Sequence, residues 1–276
     1  MLHIVNVSGG MASAICLFRV IGRFGRENVR AVFADTNSED ADLYRFLDDV
    51  ERVAGVQIDR LDNGGRNIWD VFEETGIFRL LNSGCKASWE LKKGPLRRYR
   101  NGLPAGRIVY VGMSADEGAR QDRLREAIHP EVADFPLNWP PLLSRCDLAD
   151  ELRAMGIEPP RIYALGYPHN NCGGACVLAG IKQWLGVLQD SPDLYRYHEE
   201  KEQAFLARLR EAGRNEFTIL RDRRGGVVNN LSLRQLRKAV ESGERTPTDG
   251  WRAASCTCMG NLFARTRAAE AAGGKE

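Results

Sequence analysis

The sequence has no run of about 18 apolar residues, which removes a helical membrane span from consideration. It also has little net charge, +2 over 276 residues. That is too little for overall charge to argue for a nucleic acid or a membrane as partner. The glycine turn near the N-terminus is not followed by Gly-Lys-Ser/Thr, so it is not a Walker A loop. It is not the G-x-G-x-x-G dinucleotide fingerprint either. Neither close pair of cysteines has the C-x-x-C spacing of a zinc ribbon, and no internal repeat is visible. The N-terminus reads as a buried strand running straight into glycines, not as a signal peptide. A cytoplasmic protein is therefore expected, and in a reducing compartment seven cysteines do not form a disulfide framework. Metal, cluster or redox chemistry is the expected use of those that group.

With 43% hydrophobic side chains over 276 residues, the chain can bury a full core. Residues 2–7 predict a strand and 11–24 a helix, followed by a strand at 29–34 and a helix at 40–53. In that helix Leu43, Phe46, Leu47 and Val50 fall at helical spacing. Further strands are expected at 56–61 and 107–111, an ambiguous and mainly helical stretch at 68–81, and a helix at 86–100 bent near Gly94-Pro95. Such alternation implies a doubly wound, mostly parallel sheet with helices on both faces. After about residue 128 prolines punctuate the chain and the alternation is lost. Helices are expected at 146–155, 174–189, 192–212 and 232–242, with a small hairpin around Arg224-Gly225-Gly226. The expected organisation is an α/β core over 1–128, a mainly helical, cysteine-containing region over 129–265, and a flexible tail over 266–276.

Ligands of parallel sheets bind outside the carboxyl ends of the strands, which directs attention to three junctions. The first is Ser8-Gly9-Gly10, with Met11, Ala12 and Ser13 opening a helix. Glycines let backbone N–H groups approach a phosphate, and the helix N-terminus supplies free donors and a favourable dipole. A tight turn is the plain alternative. The second junction, Asp35-Thr36-Asn37-Ser38-Glu39, suits a ribose or a metal, or else a helix start capped by Ser38. The third runs from Gly112 through Ser114, Asp116 and Glu117 to Arg120 and Arg123. It offers acids for Mg²⁺ and arginines for phosphate, or else a salt-bridged helix start. The basic cluster Lys92, Lys93, Arg97, Arg98 and Arg100 suits phosphate groups or a solvated helix face.

The ordered series Val7 to Ser13, then Phe33-Ala34-Asp35-Thr36, then Cys85 with Lys92, Lys93, Gly94, Pro95 and Leu96, then Val111 to Glu117 with Arg120, carries a family likeness. It resembles the phosphoadenosine-phosphosulfate (PAPS) reductase-like branch of the PP-loop, adenine-nucleotide alpha-hydrolase-like superfamily. The run from His169 to Cys176 is similar to members found near phage and DNA-modification genes. The resemblance implies that Ser8, Gly9, Gly10 and Ser13 contact nucleotide phosphate, that Asp35 and Thr36 lie beside the adenosine, and that Gly112 lines the base pocket. In one respect the chain departs from it. Many PP-loop ATP pyrophosphatases carry an Asp where this chain has Ala12, and that Asp commonly helps with Mg²⁺; either Asp35 or Asp116 substitutes, or the reaction is closer to a sulfonucleotide reduction.

Cys172 and Cys176 form C-x-x-x-C, and Cys256 and Cys258 form C-x-C. Two such pairs suit Zn²⁺ or an iron–sulfur cluster as four thiolate ligands, or else are structural. In cluster-containing relatives, cysteines before the Lys…Pro-Leu segment join a later pair around a [4Fe–4S] cluster. Cys85 lies in that region, so Cys85, Cys172, Cys176 and one of Cys256 or Cys258 form a second candidate set. Cys16, Cys146 and Trp184 read as structural. Trp139-Pro-Pro-Leu resembles the family's segment where the chain returns to the substrate pocket, with aromatic–proline packing as the alternative. His169 reads as a ligand, a phosphate contact or a structural hydrogen-bonding residue.

The leading expectation is an ATP-dependent enzyme that adenylates a substrate and couples this to sulfur transfer, with Arg120 or Arg123 stabilising pyrophosphate. A cysteine desulfurase or another donor would supply the sulfur, and a nucleic acid or nucleoside would be a fitting substrate. The alternatives are a PAPS or adenylyl-sulfate reductase with Cys256 or Cys258 as nucleophile, and a non-catalytic nucleic-acid-binding subunit that retains a nucleotide site.

Overall fold

The structure, a computed structural model, describes residues 1–80 and 84–246. The chain forms two compact units, each assembled from separate stretches. Unit 1 comprises Met1–Asp35, Asp40–Asn63 and Gly94–Tyr163, and unit 2 comprises Thr36–Glu39, Gly64–Lys93 and the chain from Ala164 onward. This division differs from a cut at residue 128, because residues 129–163 belong with the sheet.

Unit 1 is an α/β layer structure. Its strands β1 (Leu2–Asn6), β2 (Val29–Ala34), β3 (Ile58–Leu61), β4 (Arg107–Val111) and β5 (Val132–Asp134) form one sheet in the order β3-β2-β1-β4-β5. Every neighbouring pair is parallel. The chain proceeds outward from β1 through β2 to β3, then returns to the other side of β1 for β4 and β5. The strand order therefore reverses between β1 and β4, and such a switch point is where open α/β sheets form a crevice.

Helix α1 (Met11–Phe24) follows β1 directly and buries Met11, Ala14, Ile15, Leu17 and Val20, an apolar stripe at helical spacing. Cys16 lies on the same buried face, where its thiol is structural. Helix α2 (Ala41–Ala54) buries Leu43, Phe46, Leu47 and Val50. Its N-cap is Asp40, whose carboxylate accepts the Asp42 N–H at 2.9 Å, so the expected cap at Ser38 is replaced by the acid one step from the helix.

At the far end of the sheet His3 stacks on Phe24 at 3.9 Å and its Nδ1 meets the Tyr110 hydroxyl at 2.8 Å. Trp139 packs edge-on to Phe24 and Tyr110, with the Arg23 guanidinium 4.7 Å from its ring. Arg19 donates to the carbonyls of Pro136 and Trp139 at 2.9 and 2.8 Å. The Trp-Pro-Pro run thus packs as a structural element of unit 1. Strand β5, three residues long, was not expected from the sequence.

Unit 2 contains α3 (Ile68–Thr75), a π-helical turn at Ser88–Lys93, α8 (Ile181–Asp190), α9 (Pro192–Glu211), α10 (Leu233–Glu241) and the antiparallel pair β6 (Leu220–Asp222) and β7 (Asn229–Leu231). Helices α4 (Gly94–Asn101), α5 (Gly118–Ile128), α6 (Arg145–Ala154) and α7 (Arg161–Ala164) complete the set. The π winding immediately precedes Gly94-Pro95, where a proline ring would clash with the carbonyl four residues back in a regular α-helix.

Helix α8 begins at Ile181, not at the expected 174, because Cys172, Gly173 and Gly174 have φ of 51°, 56° and 86°. Three successive left-handed residues cannot open a right-handed helix. Trp184 is fully buried, as expected for a core residue. Among the described residues no helix is long and apolar enough to cross a membrane. The expected tail at 266–276 lies outside the described residues.

Candidate functional site

In unit 1 the carboxyl ends of β1 and β4 meet at the first turn of α1. Gly9 has φ +75°, and a Cβ there would lie 2.5 Å from the Leu43 side chain. Gly10 is the N-cap of α1 in extended conformation and supplies no side-chain cap; a Cβ on it would lie 2.9 Å from the Tyr163 hydroxyl. The tightest approach belongs to Gly112, where a Cβ would sit 2.5 Å from the Ala12 carbonyl oxygen and 2.7 Å from the Ser13 nitrogen. Gly112 is glycine because β4 ends against the backbone of that turn. The resemblance assigns it to a base pocket; in the structure it abuts the Ala12–Ser13 backbone of the glycine turn.

The hydroxyls in the turn are engaged in holding its shape. Ser13 Oγ is buried, donates to the Gly10 carbonyl at 2.8 Å and accepts from the Ser8 N–H at 3.0 Å and the Ser8 hydroxyl at 3.2 Å. Ser13 is thus the clasp of the loop, and the exposed Ser8 is the hydroxyl on its outer side. No acidic residue stands in the first turn of α1, and the early N–H groups of a helix have no partner within it. This edge is built from backbone donors at the positive end of a helix dipole, the physical basis of anion binding. Asp35, at the end of β2, accepts the Tyr44 hydroxyl at 2.9 Å.

The loop after β4 is equally self-contained. Ser114 and Glu117 form a capping box, and the Ser114 hydroxyl donates to Asp116 at 2.5 Å. Arg120 and Arg123 are both exposed on α5. Arg120 pairs with Glu117 at 2.5 Å, so the salt-bridged helix start is present. An exposed pair of this type is worth under about 1 kcal/mol and can exchange for a ligand. Gln121, which the sequence reading passed over, is buried; its amide donates to the Ser114 carbonyl at 2.8 Å and accepts from Asn138 at 3.1 Å. Tyr163 was passed over too. No helical or strand periodicity signals either residue, and Tyr163 acts across a long stretch of chain.

Unit 2 holds a different arrangement. The Glu39 side chain is 0% exposed and ion-pairs with Lys92 Nζ at 3.0 Å. It also accepts the Thr36 hydroxyl at 2.9 Å and the Cys172 N–H at 2.8 Å. Burial alone would lower the Lys92 pKa, but the Glu39 carboxylate and the charges of Cys172 and Cys176 outweigh it and hold the ammonium above its ordinary value. Thr36, assigned to the adenosine by resemblance, is buried as a ligand of Glu39. The basic segment 92–100 does not form one cationic face. Lys92 is committed to Glu39, and Arg100 is buried in unit 1 with its guanidinium 2.9 Å from Glu131.

Around the Glu39–Lys92 pair stand three cysteines. Burial raises the Cys172 thiol well above its usual value, Glu39 adds to this, Lys92 opposes it, and Cys176 and Cys85 raise it further. Burial likewise raises Cys85, partly offset by the N–H groups of Ser88 and Ala87, with Cys176 raising it again. Cys85, Cys172 and Cys176 are thus electrostatic neighbours. The Cys85 strand segment bridges Arg79, another residue the sequence reading missed, whose guanidinium donates to the carbonyls of Val177 and Ile219 at 2.7 and 2.8 Å. His169 is exposed. Thiols have the softness that zinc or an iron–sulfur cluster requires. Among the described residues, however, no three His, Cys, Asp or Glu close a ligand set. Cys256 and Cys258, expected as ligands or nucleophiles, lie outside the described residues.

No protein-family model matches the sequence, and no curated protein matches it. Among solved structures, the phosphoadenylyl-sulfate (PAPS) reductase of Candida auris, determined as a phosphate complex, is similar with a TM-score of 0.45. The two are 14% identical, and the match covers 60% of this chain and 79% of that one.

Proposed function

We propose that the chain binds an adenine nucleotide at the glycine turn of unit 1 and uses it in sulfur chemistry, as enzymes of the PP-loop, PAPS reductase-like kind do. One observation carries this reading. Gly112 abuts the Ala12–Ser13 backbone at the β1/β4 switch point, beside a helix start that has neither a side-chain cap nor an acid. A phosphate would supply the missing negative charge there.

With ATP, a substrate oxygen attacks the α-phosphorus, the bond to the β-phosphate oxygen breaks, and pyrophosphate leaves. Arg120 and Arg123, exposed on α5, would take up its charge. A reduced sulfur nucleophile from a sulfur donor then attacks the activated carbon of the substrate, and AMP leaves with the substrate oxygen. Mg²⁺ would arrive with the ATP phosphates, because Ala12 provides no carboxylate; Asp35 and Asp116 are the acids at the neighbouring strand ends. A [4Fe–4S] cluster or Zn²⁺ held by Cys85, Cys172 and Cys176 with Cys256 or Cys258 would require these thiols to draw closer than they stand, since no three residues close a ligand set among those described. When bound, a cluster would supply iron to carry sulfide.

The acid-free first turn of α1 favours a second reading, in which the ligand is PAPS or adenylyl sulfate and no loop-held Mg²⁺ is needed. There a thiolate attacks the sulfonate sulfur and the nucleotide phosphate leaves. A second thiol then displaces sulfite as a disulfide forms. Burial raises the thiols of Cys85 and Cys172, and the resemblance assigns the nucleophile to Cys256 or Cys258.

Product analysis on anaerobically purified protein tests both. AMP and pyrophosphate from ATP support the first, sulfite from a sulfonucleotide supports the second, and failure to bind either nucleotide removes both. Iron, sulfide and zinc analysis of the same sample tests the metal assignment.

A further inference from the structure

Unit 2 ends, among the described residues, in a hairpin and a helix that are rich in basic side chains. Residues 220–245 contain seven Arg or Lys side chains against three Asp or Glu, a net of +4 in a chain whose total is +2. Part of that charge turns inward: Arg234 and Arg237 pair with the buried Glu199 at 3.2 and 2.8 Å. Arg221, Arg223, Arg224 and Lys238 are exposed. Of these only Arg224 has an ion pair among the described residues, with Asp222 at 2.8 Å and Glu244 at 3.1 Å.

The hairpin and helix also share a recess of about 430 Å³, lined among others by Arg224, Gln235, Lys238, Ser242, Glu244 and Arg245. Arg245 reaches Asp222 at 2.5 Å through one terminal nitrogen, while its Nε is buried with no hydrogen-bond partner among the described residues. A buried donor without an acceptor is costly, and an oxyanion in the recess would offer one. At the hairpin tip Val227 and Val228 are 59% and 56% exposed and Asn229 is exposed beside them. Apolar and amide side chains on a cationic ribbon are the groups that touch bases once arginines and lysines have taken the phosphates.

We infer that residues 220–245 form a nucleic-acid-binding face, with phosphodiester groups seated at the recess and along Arg223, Arg224 and Lys238. The partner is a polyphosphate strand because the cations are spread over a hairpin and a helix face, not gathered around one enclosed cavity. The inference is independent of the nucleotide site of unit 1. In segment 92–100, by contrast, Lys92 and Arg100 are engaged in ion pairs with Glu39 and Glu131.

The test is fluorescence anisotropy of the full chain with labelled single-stranded and duplex 20-mers of DNA, over a range of salt. Binding that weakens steeply with salt is expected for one or both forms. The variant R223E/K238E, altered only at exposed positions, is expected to bind about tenfold or more weakly and to lower the salt slope by about two. Its thermal midpoint should stay at the wild-type value, which a folding defect would not allow. The inference is overturned by three results: no binding at low salt, an unchanged affinity and slope in the variant, or displacement of the DNA by ATP or PAPS, which would place the contact at the glycine turn.

Discussion

In unit 1 the candidate ligand surface is backbone: glycines, a helix start and neutral hydroxyls that bond to one another. In unit 2 the chemistry-bearing groups are side chains: a buried carboxylate, a buried ammonium and three thiols. The first arrangement depends on close approach, so it responds to the addition of one carbon atom and little to pH. The second depends on compensated charge, so it responds to removal of a partner or a proton. Substitutions can break this contrast or sharpen it.

The largest effect is expected from Lys92→Met. It leaves the Glu39 carboxylate, 0% exposed, without its cation, which costs about 3–5 kcal/mol. Urea denaturation should show this, and Glu39→Gln combined with Lys92→Met should recover part of it. A loss below about 1 kcal/mol would mean that the pair is not structural.

The next effect is a pH dependence inside unit 2. Burial pushes Glu202 up to about 7 from 4.5, although the Ile219 and Leu233 N–H groups bond its carboxylate. Burial pushes His198 down to about 4 from 6.5. Folded Glu202 holds its proton more tightly than in the unfolded chain, so its contribution is full below pH 4.5 and is lost as pH rises through about 7. His198 has the opposite sign, and its cost is relieved as pH rises through about 4 to 6.5. The two oppose each other over that window. Glu202→Gln should therefore uncover a stability that climbs between pH 4 and 6.5, by up to about 3 kcal/mol. A flat profile in that variant would show that His198 titrates normally.

Smaller changes belong to unit 1. Gly9→Ala places a Cβ 2.5 Å from Leu43 at φ +75°. It should cost about 1–3 kcal/mol in thermal or urea unfolding. Smallest is Gly10→Ala, whose Cβ meets only the Tyr163 hydroxyl at 2.9 Å, a loss of about 1 kcal/mol. Adding Tyr163→Phe removes that oxygen and should restore most of it. No recovery in the double variant would mean that Tyr163 does not pack on the turn.

The same contrast governs what the sequence made legible. Strands 29–34 and 107–111 and helix 11–24 were read with their observed bounds, because apolar periodicity and terminal glycines are local signals. The close approach of Gly112 to the Ala12–Ser13 turn joins two strand ends that the sequence marked separately by their glycines. Glu39 was seen only as a strand-end acid, because its bond to Cys172 spans 133 positions and no periodicity reports it. Strand β5 was missed because three residues carry no pattern, and α8 was begun too early because left-handed Cys172 looks like any other cysteine in a sequence. The basic segment 92–100 looked like one surface, but tertiary pairing divided its charges. Arg79 and Tyr163 act at similar range and left no local trace.

The central claim is that the glycine turn of unit 1 holds an adenine nucleotide, and isothermal titration of ATP and of PAPS into wild type and Gly112→Ala tests it most directly. A Cβ at Gly112 falls 2.5 Å from the Ala12 carbonyl, a backbone atom that cannot rotate away. The account predicts that wild type binds at least one of the two nucleotides and that the folded variant binds it at least about tenfold more weakly, a difference of about 1.4 kcal/mol. Equal affinity in the two proteins, or no binding by wild type, would contradict it.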